Sequence, residues 1–303
     1  MANDRRDFLK RGLMTATAAV AGTAAFKAIQ AAAKPNVSLP VLMPGGMIGH
    51  VSPSAISSHT HMPPAADPTG RNGVPGRRWI MVIDLAKCDG CGKCTEACGK
   101  AHFIPPGRQW IPVLVMPGEG LSAPEYFPRP CFHCDNPPCT KVCPVNATYK
   151  TQDGTVLIDN ERCIGCRFCI AACPYGARSF NWGPPEDPPE AAKRGYSPEW
   201  GYPRRIGTVE KCDFCPDHAA MGMLPHCSSG CPMGAIYFGD QNEDAVTNSG
   251  GETLRLSKLL RDRSAYRHLE NLGTEPRVYY LPPANRQYPA PGETKADTKK
   301  GGA

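Results

Sequence analysis

Apolar residues in this 303-residue chain come in short bursts rather than long amphipathic repeats. Trp79-Ile-Met-Val-Ile-Asp84 is a continuous apolar run of strand length, and Thr155-Val-Leu-Ile-Asp159 repeats it. Such runs, bounded by turn residues, read as buried strands. Each ends in Asp and leads into a cysteine-rich loop and a helical stretch, which makes an internal repeat. Trp110-Ile-Pro-Val-Leu-Val-Met116 predicts a strand within a Pro-rich insertion between Phe103 and Arg129. Ala235-Ile-Tyr-Phe238 and Val278-Tyr-Tyr-Leu281 predict two more strands. From Leu254 to Leu272, Leu256, Leu259, Leu260, Leu269 and Leu272 have helical spacing in part. A second insertion, Pro184 to Arg205, carries Tyr196, Trp200 and Tyr202, which either mark a partner surface or simply cover a site formed by the cysteine loops. Strands mixed with short helices predict an α+β fold.

The ends depart from this pattern. Asp4-Arg5-Arg6-Asp7-Phe8-Leu9-Lys10 precedes a soft run from Gly12 to Ala33, the form of a twin-arginine export signal, with Ala31-Ala32-Ala33 as the cleavage candidate. A spanning helix fits poorly, because the run is mostly Ala, Thr and Gly and Lys27 interrupts it. The expected organisation is a signal at 1–33, a Pro/Gly-rich linker at 34–78, a cysteine-rich region at 79–281 and a polar tail at 282–303. His50, His59 and His61 lie in the linker; no second ligand set accompanies the His59-x-His61 pair. The mature chain is expected to have no transmembrane helix of its own.

Composition narrows the class. With 33 Pro and 31 Gly the chain is loop-rich, and metal centres would hold it as much as an apolar core. The net charge of +6 lies partly in the signal (Arg5, Arg6, Lys10, Arg11, Lys27), and the remainder is too mild to argue for nucleic acid.

The chemistry lies in sixteen cysteines, which fall into four quartets with none left over. These are Cys88, Cys91, Cys94 and Cys98; Cys131, Cys134, Cys139 and Cys143; Cys163, Cys166, Cys169 and Cys173; and Cys212, Cys215, Cys227 and Cys231. The third reads C-x2-C-x2-C-x3-C-P, the bacterial ferredoxin run, in which a tight loop turns three thiolates onto one cube and the fourth serves another. A disulfide scaffold would suit an even count in an exported protein. Quartets with gaps of two to four residues (and one of eleven) fit it poorly. Structural zinc prefers two C-x2-C pairs with a longer gap, a pattern approached only by the fourth quartet. The spacing favours iron–sulfur clusters, and folded export would suit cofactors inserted before transport. Lys87, Lys93, Lys141, Arg162, Arg167 and Lys211 lie near the cysteines, either as partners of anionic clusters or as solvated surface.

Three segments carry a family resemblance: Pro130-Cys-Phe-His-Cys-Asp-Asn-Pro-Pro-Cys139, the quartet Cys212 to Cys231, and Gly273-Thr-Glu-Pro-Arg-Val-Tyr-Tyr280. Over about residues 79–281 the chain resembles the four-cluster ferredoxin-like subunits of complex iron–sulfur molybdoenzymes, such as dimethyl sulfoxide, polysulfide, tetrathionate and nitrite reductases. The resemblance implies two tandem bacterial-ferredoxin-like modules, an inner one at about 130–180 and an outer one from about 79–129 plus 206–281. Together they would hold a row of four [4Fe–4S] clusters. It also implies the pairing: Cys88, Cys91 and Cys94 with Cys231; Cys212, Cys215 and Cys227 with Cys98; Cys131, Cys134 and Cys139 with Cys173; and Cys163, Cys166 and Cys169 with Cys143. Gly99 after Cys98 departs from the Cys-Pro that ends the other quartets, without removing a ligand.

The function implied is single-electron relay in a periplasmic respiratory complex. Its partners would be a catalytic molybdopterin subunit and a polytopic quinone-interacting or cytochrome-linked membrane subunit. No nucleophile–base pair, phosphate loop or flavin fingerprint is present, so catalysis is expected in a partner. The alternatives are a stand-alone periplasmic polyferredoxin and a hydrogenase-linked relay.

Overall fold

The computed structural model describes residues 39–42, 48–51, 71–116, 124–184, 187, 189, 193 and 196–283. The predicted signal, His59, His61 and nearly all of the tail lie outside them. Within the linker, β1 (Leu39–Leu42) and β2 (Ile48–Val51, which includes His50) form a separate two-stranded sheet.

The remaining described chain is built on β3 (Trp79–Asp84), with the bounds of the apolar run. Every residue of β3 is buried, because both of its faces are covered. Trp79, Met81 and Ile83 pack into the larger core with Trp110, Ile111, Phe132, Phe214 and several cysteines. Ile80 and Val82 point the other way, towards Tyr237, Leu256, Leu259 and Leu281. That two-sided burial explains why the run is continuous rather than alternating.

After β3 come α1 (Lys93–Ala101) and the hairpin of β4 (Val113–Met116) with β5 (Glu125–Pro128). The β5 sequence carries no strand pattern of its own. It is extended because it pairs antiparallel with β4, from Val113–Pro128 to Met116–Glu125. Next are α2 (Pro138–Lys141), the hairpin β6 (Thr148–Lys150) with β7 (Val156–Ile158), α3 (Phe168–Ala171), and the short pair β8 (Ser179–Phe180) with β9 (Val209–Glu210). Then α4 (Pro216–Ala220) and α5 (His226–Ser229) lead into β10 (Ile236–Asp240), β11 (Ala245–Thr247) and β12 (Thr253–Arg255). The helical stretch expected from Leu254 to Leu272 is only α6 (Leu256–Asp262). Ser264 at φ 49° breaks it, and β13 (Tyr266–Arg267) is recruited by β14 (Val278–Leu281).

The main sheet has the order β12-β11-β10-β3-β14-β13. β10 runs antiparallel to β3 (Phe238 opposite Met81), and β14 runs parallel to it (Tyr280 opposite Ile83). The strand that opens the cysteine-rich region is thus flanked by two strands from its far end. Residues 71–78 lie along the β6–β7 hairpin: Arg71 reaches Asp159 at 3.3 Å, and the Val74 N–H donates to Asp153 at 2.8 Å. Tyr196 donates to Asp159 at 3.1 Å, and Tyr202 is buried edge-on to Phe103 at 5.3 Å. Tyr196 and Tyr202 of the second insertion therefore cover the interior. Among the described residues no helix is long and apolar enough to cross a membrane.

Candidate metal centres

Each cysteine loop turns in the same way. The residue just before its second cysteine has positive φ: Gly90 at 77°, His133 at 42°, Gly165 at 70° and Phe214 at 67°. This left-handed step bends the chain so that successive thiols converge. At Gly90 a side chain would also collide with the Tyr126 ring, and at Gly165 with the Gly207 carbonyl. Asx bonds brace two loops: Asp89 accepts from the Cys91 N–H at 3.1 Å and Asp213 from the Cys215 N–H at 2.8 Å.

The third and fourth cysteines of each quartet are four residues apart, across a helical turn. Cys94 and Cys98 sit on α1, while Cys139, Cys169 and Cys227 sit on α2, α3 and α5, with their fourth members just beyond. One turn carries the fourth thiol about 5.4 Å along the axis, towards a different hollow.

Four convergent sets result. Cys88, Cys91, Cys94 and Cys231 line one hollow. Cys131, Cys134, Cys139 and Cys173 line a second, closed by Tyr175 and Arg178. Cys143, Cys163, Cys166 and Cys169 line a third. Cys98, Cys212, Cys215 and Cys227 are all buried; that burial, and then their proximity to one another, pushes the thiols of Cys98, Cys215 and Cys227 well up. All sixteen thiols are free.

The electrostatics of these sets disfavour bare thiolates. Burial, reinforced by neighbouring thiols, pushes Cys94 up to about 11 and Cys134 to about 12. Cys212, where Asp213 adds to the burial, also rises to about 12. Four thiolates so placed are stable only with positive charge between them. Backbone donors already aim at two sulfurs: Ala147 and Thr148 at Cys143 Sγ (3.2 and 3.4 Å), and Ala235 at Cys231 Sγ (3.4 Å). Four soft donors per set, with N–H groups turned to the sulfur, fit an iron–sulfur cube.

The sets form a chain of neighbours. A single helical turn joins the set of Cys143 to that of Cys139, and another joins the set of Cys94 to that of Cys98. Between the two pairs, the His133 ring stacks on Phe214 with centroids 3.8 Å apart.

Several buried polar residues stand among the sets. Arg178 is buried between the sets of Cys139 and Cys169; it donates to Thr148 at 3.2 Å and turns its guanidinium towards both of those thiols. Burial works against its charge, but the surrounding thiols outweigh this and raise its pKa. Of the six cations near the cysteines, Lys211 alone is buried; it bonds the Cys212 carbonyl at 2.7 Å and the Val156 carbonyl. Arg178, His102 and Asp213 are single residues with no spacing signal in the sequence.

Comparison with known proteins agrees with this chemistry. The chain matches the 4Fe-4S dicluster domain over residues 123–185 and 201–241, and a second family of the same description over 87–147. It is 45% identical over 217 residues to a selenate reductase subunit of Mesobacillus selenatarsenatis, covering 67% of this chain and 72% of that one. It is 39% identical over 236 residues to the menaquinone reductase iron-sulfur cluster-binding subunit of Nitratidesulfovibrio vulgaris, covering 67% and 88%. With the arsenate respiratory reductase iron-sulfur subunit ArrB of Shewanella sp. it shares 35% over 231 residues, covering 66% and 94%. The chain binds [4Fe–4S] clusters and belongs to the 4Fe-4S dicluster family of reductase iron–sulfur subunits.

Proposed function

We propose that this chain is the electron-transfer subunit of a periplasmic, membrane-associated respiratory oxidoreductase, with one [4Fe–4S] cluster in each of the four cysteine sets. The observation that carries the reading is the uninterrupted succession of the sets: two linked by one helical turn, two by another, and the pairs by the His133–Phe214 stack. When bound, such clusters accept and release single electrons at potentials tuned by hydrogen bonds, charge and exposure. The protein's part is to hold the thiolates, exclude water and set the local field.

The ends of the row favour a subunit over a free carrier. Around the set of Cys143, Cys163, Cys166 and Cys169, the side chains of Ile164, Phe168, Trp182 and Ile206 are exposed, Trp182 at 69%. Around that of Cys88 to Cys231, Val115, Met116 and Met233 are exposed and Cys91 is open to solvent. Apolar groups at both ends suit docking to two partners. One would be a catalytic molybdopterin subunit and the other a quinone- or cytochrome-linked membrane subunit, with catalysis in the former. Arg5 and Arg6 support twin-arginine export; replacing both with Lys should hold the protein in the cytoplasm.

Iron and acid-labile sulfide on anaerobically purified protein, with EPR of the reduced form, test the reading. About 16 iron atoms per chain with interacting signals, and co-purification with two partners, are the expected results. Zinc in place of iron would overturn it.

A further inference from the structure

Beside Cys98, Cys212, Cys215 and Cys227 lies a buried line of side chains. His102, at the end of α1, is 4% exposed, and its Nε2 lies 3.2 Å from Cys215 Sγ. On the opposite edge of the ring, Nδ1 is 3.6 Å from Asp213 Oδ2. The ring is wedged between Trp110, centroids 4.9 Å apart, and His226 at 5.6 Å. Its backbone carbonyl accepts from Arg204 at 2.6 Å, and Arg204 is itself clamped by Glu210 at 2.7 Å and Asp187 at 2.9 Å. The imidazole is therefore flanked by two rings and its backbone is pinned by Arg204.

The donor atoms of His102, Asp213 and Cys215 also lie within 4.8 Å of one another, close enough to suggest a metal ion of their own. Cys215 belongs with three other thiols, however, which leaves His102 and Asp213 too few donors for a separate ion.

We propose that His102 donates a hydrogen bond from Nε2 to the Sγ of Cys215 and thereby raises the reduction potential of the cluster held by that set. The inference rests on the reading of the four sets as [4Fe–4S] sites. A thiolate bound to iron offers only lone pairs, so a 3.2 Å contact with a ring nitrogen requires the proton on that nitrogen. Reduction adds negative charge to the cluster, and a donor aimed at its sulfur stabilises the reduced form more than the oxidised one. The need for a donor is greatest here. All four thiols are buried, so solvent cannot supply that donor. His102 is thus a positioning and tuning residue, not a ligand.

The test is a potentiometric EPR titration of the whole chain, anaerobically loaded, comparing wild type with His102→Leu and His102→Gln. Leu removes the donor, while the Gln amide keeps an N–H at similar reach. One midpoint should fall in the Leu variant and stay near its wild-type value in the Gln variant, with the other three unmoved and iron content unchanged. If all four midpoints match wild type in the Leu variant, or all four shift together, the proposal is overturned. Should the Leu variant lose the cluster, the Gln variant decides: an unmoved midpoint supports the bond, and a lowered one rejects it. A wild-type chain without iron would instead overturn the underlying cluster reading.

Discussion

His133 and Phe214 occupy the same position in two different cysteine loops, both at positive φ, and their rings lie face to face at 3.8 Å and 24°. In the other two loops that position is glycine, where a side chain would collide with a neighbour. Rings are carried only where two loops face each other, and the Val156 N–H fixes His133 by donating to its Nδ1 at 3.0 Å. Burial first, then the charges of Lys211 and Arg277, push the His133 pKa well below its usual value, so this ring is neutral. Phe214→Leu should cost about 1–3 kcal/mol in denaturant midpoint analysis, from lost area and ring stacking. It should also slow electron passage between the two pairs of sets without moving their midpoints, as rapid-mixing reduction would show.

Arg178 places a buried positive charge between two sets. Arg178→Leu should lower the midpoints of the clusters at Cys139 and Cys169 and leave the other two in place. Potentiometric EPR reads this directly, and an unchanged profile would show that the guanidinium serves packing alone.

Cys143→Ala removes one thiol from the set of Cys163, Cys166 and Cys169, not from the set that holds its sequence neighbours Cys134 and Cys139. Iron analysis should show up to about a quarter of the metal lost, and spectroscopy should show the set of Cys131 to Cys173 intact.

Leu256 and Leu259 of α6 are buried against the second face of β3. Truncating Leu256 to Ala should cost about 2–5 kcal/mol and leave the four EPR signals unaltered, because no cysteine lies in that core cluster.

Glu252 accepts from Lys87 at 2.7 Å and from Tyr237 at 2.6 Å, and these bonds, Lys87 first, hold its pKa below the usual carboxylate value. A depressed carboxylate contributes stability that is present above its unfolded pKa and lost as pH falls through the folded one. Glu252→Gln should therefore be less stable than wild type at neutral pH, by no more than about 1 kcal/mol for so exposed a pair. The gap should close below the ordinary Glu range, which urea midpoints across a pH series would reveal.

Strand β3 was legible because its apolar run is unbroken, and β14 because Val278-Tyr-Tyr-Leu281 alternates with nothing polar. Strand β5 was not, since Glu-Tyr-Phe-Pro becomes extended only by pairing with β4. The helix expected up to Leu272 ends at Asp262 because β14 claims Tyr266 and Arg267 for the sheet. The quartets stood out by spacing, which says where thiols converge locally. It says nothing of a lone His102 or Arg178, whose roles come from burial beside the sulfurs of more than one loop or of a distant one.

Cys231 closes a hollow begun by Cys88, Cys91 and Cys94, and Cys212, Cys215 and Cys227 meet Cys98. The described segments between Cys98 and Cys212 thus lie between two joints that tie the start of the cysteine-rich region to its end. The enclosed sets can fill as soon as their own segment has been made, whereas the enclosing ones must wait for the last third of the polypeptide. Metal occupancy of the outer pair would then report that the chain has been made at least as far as Cys231: one that stops earlier keeps an open clasp with loose thiols.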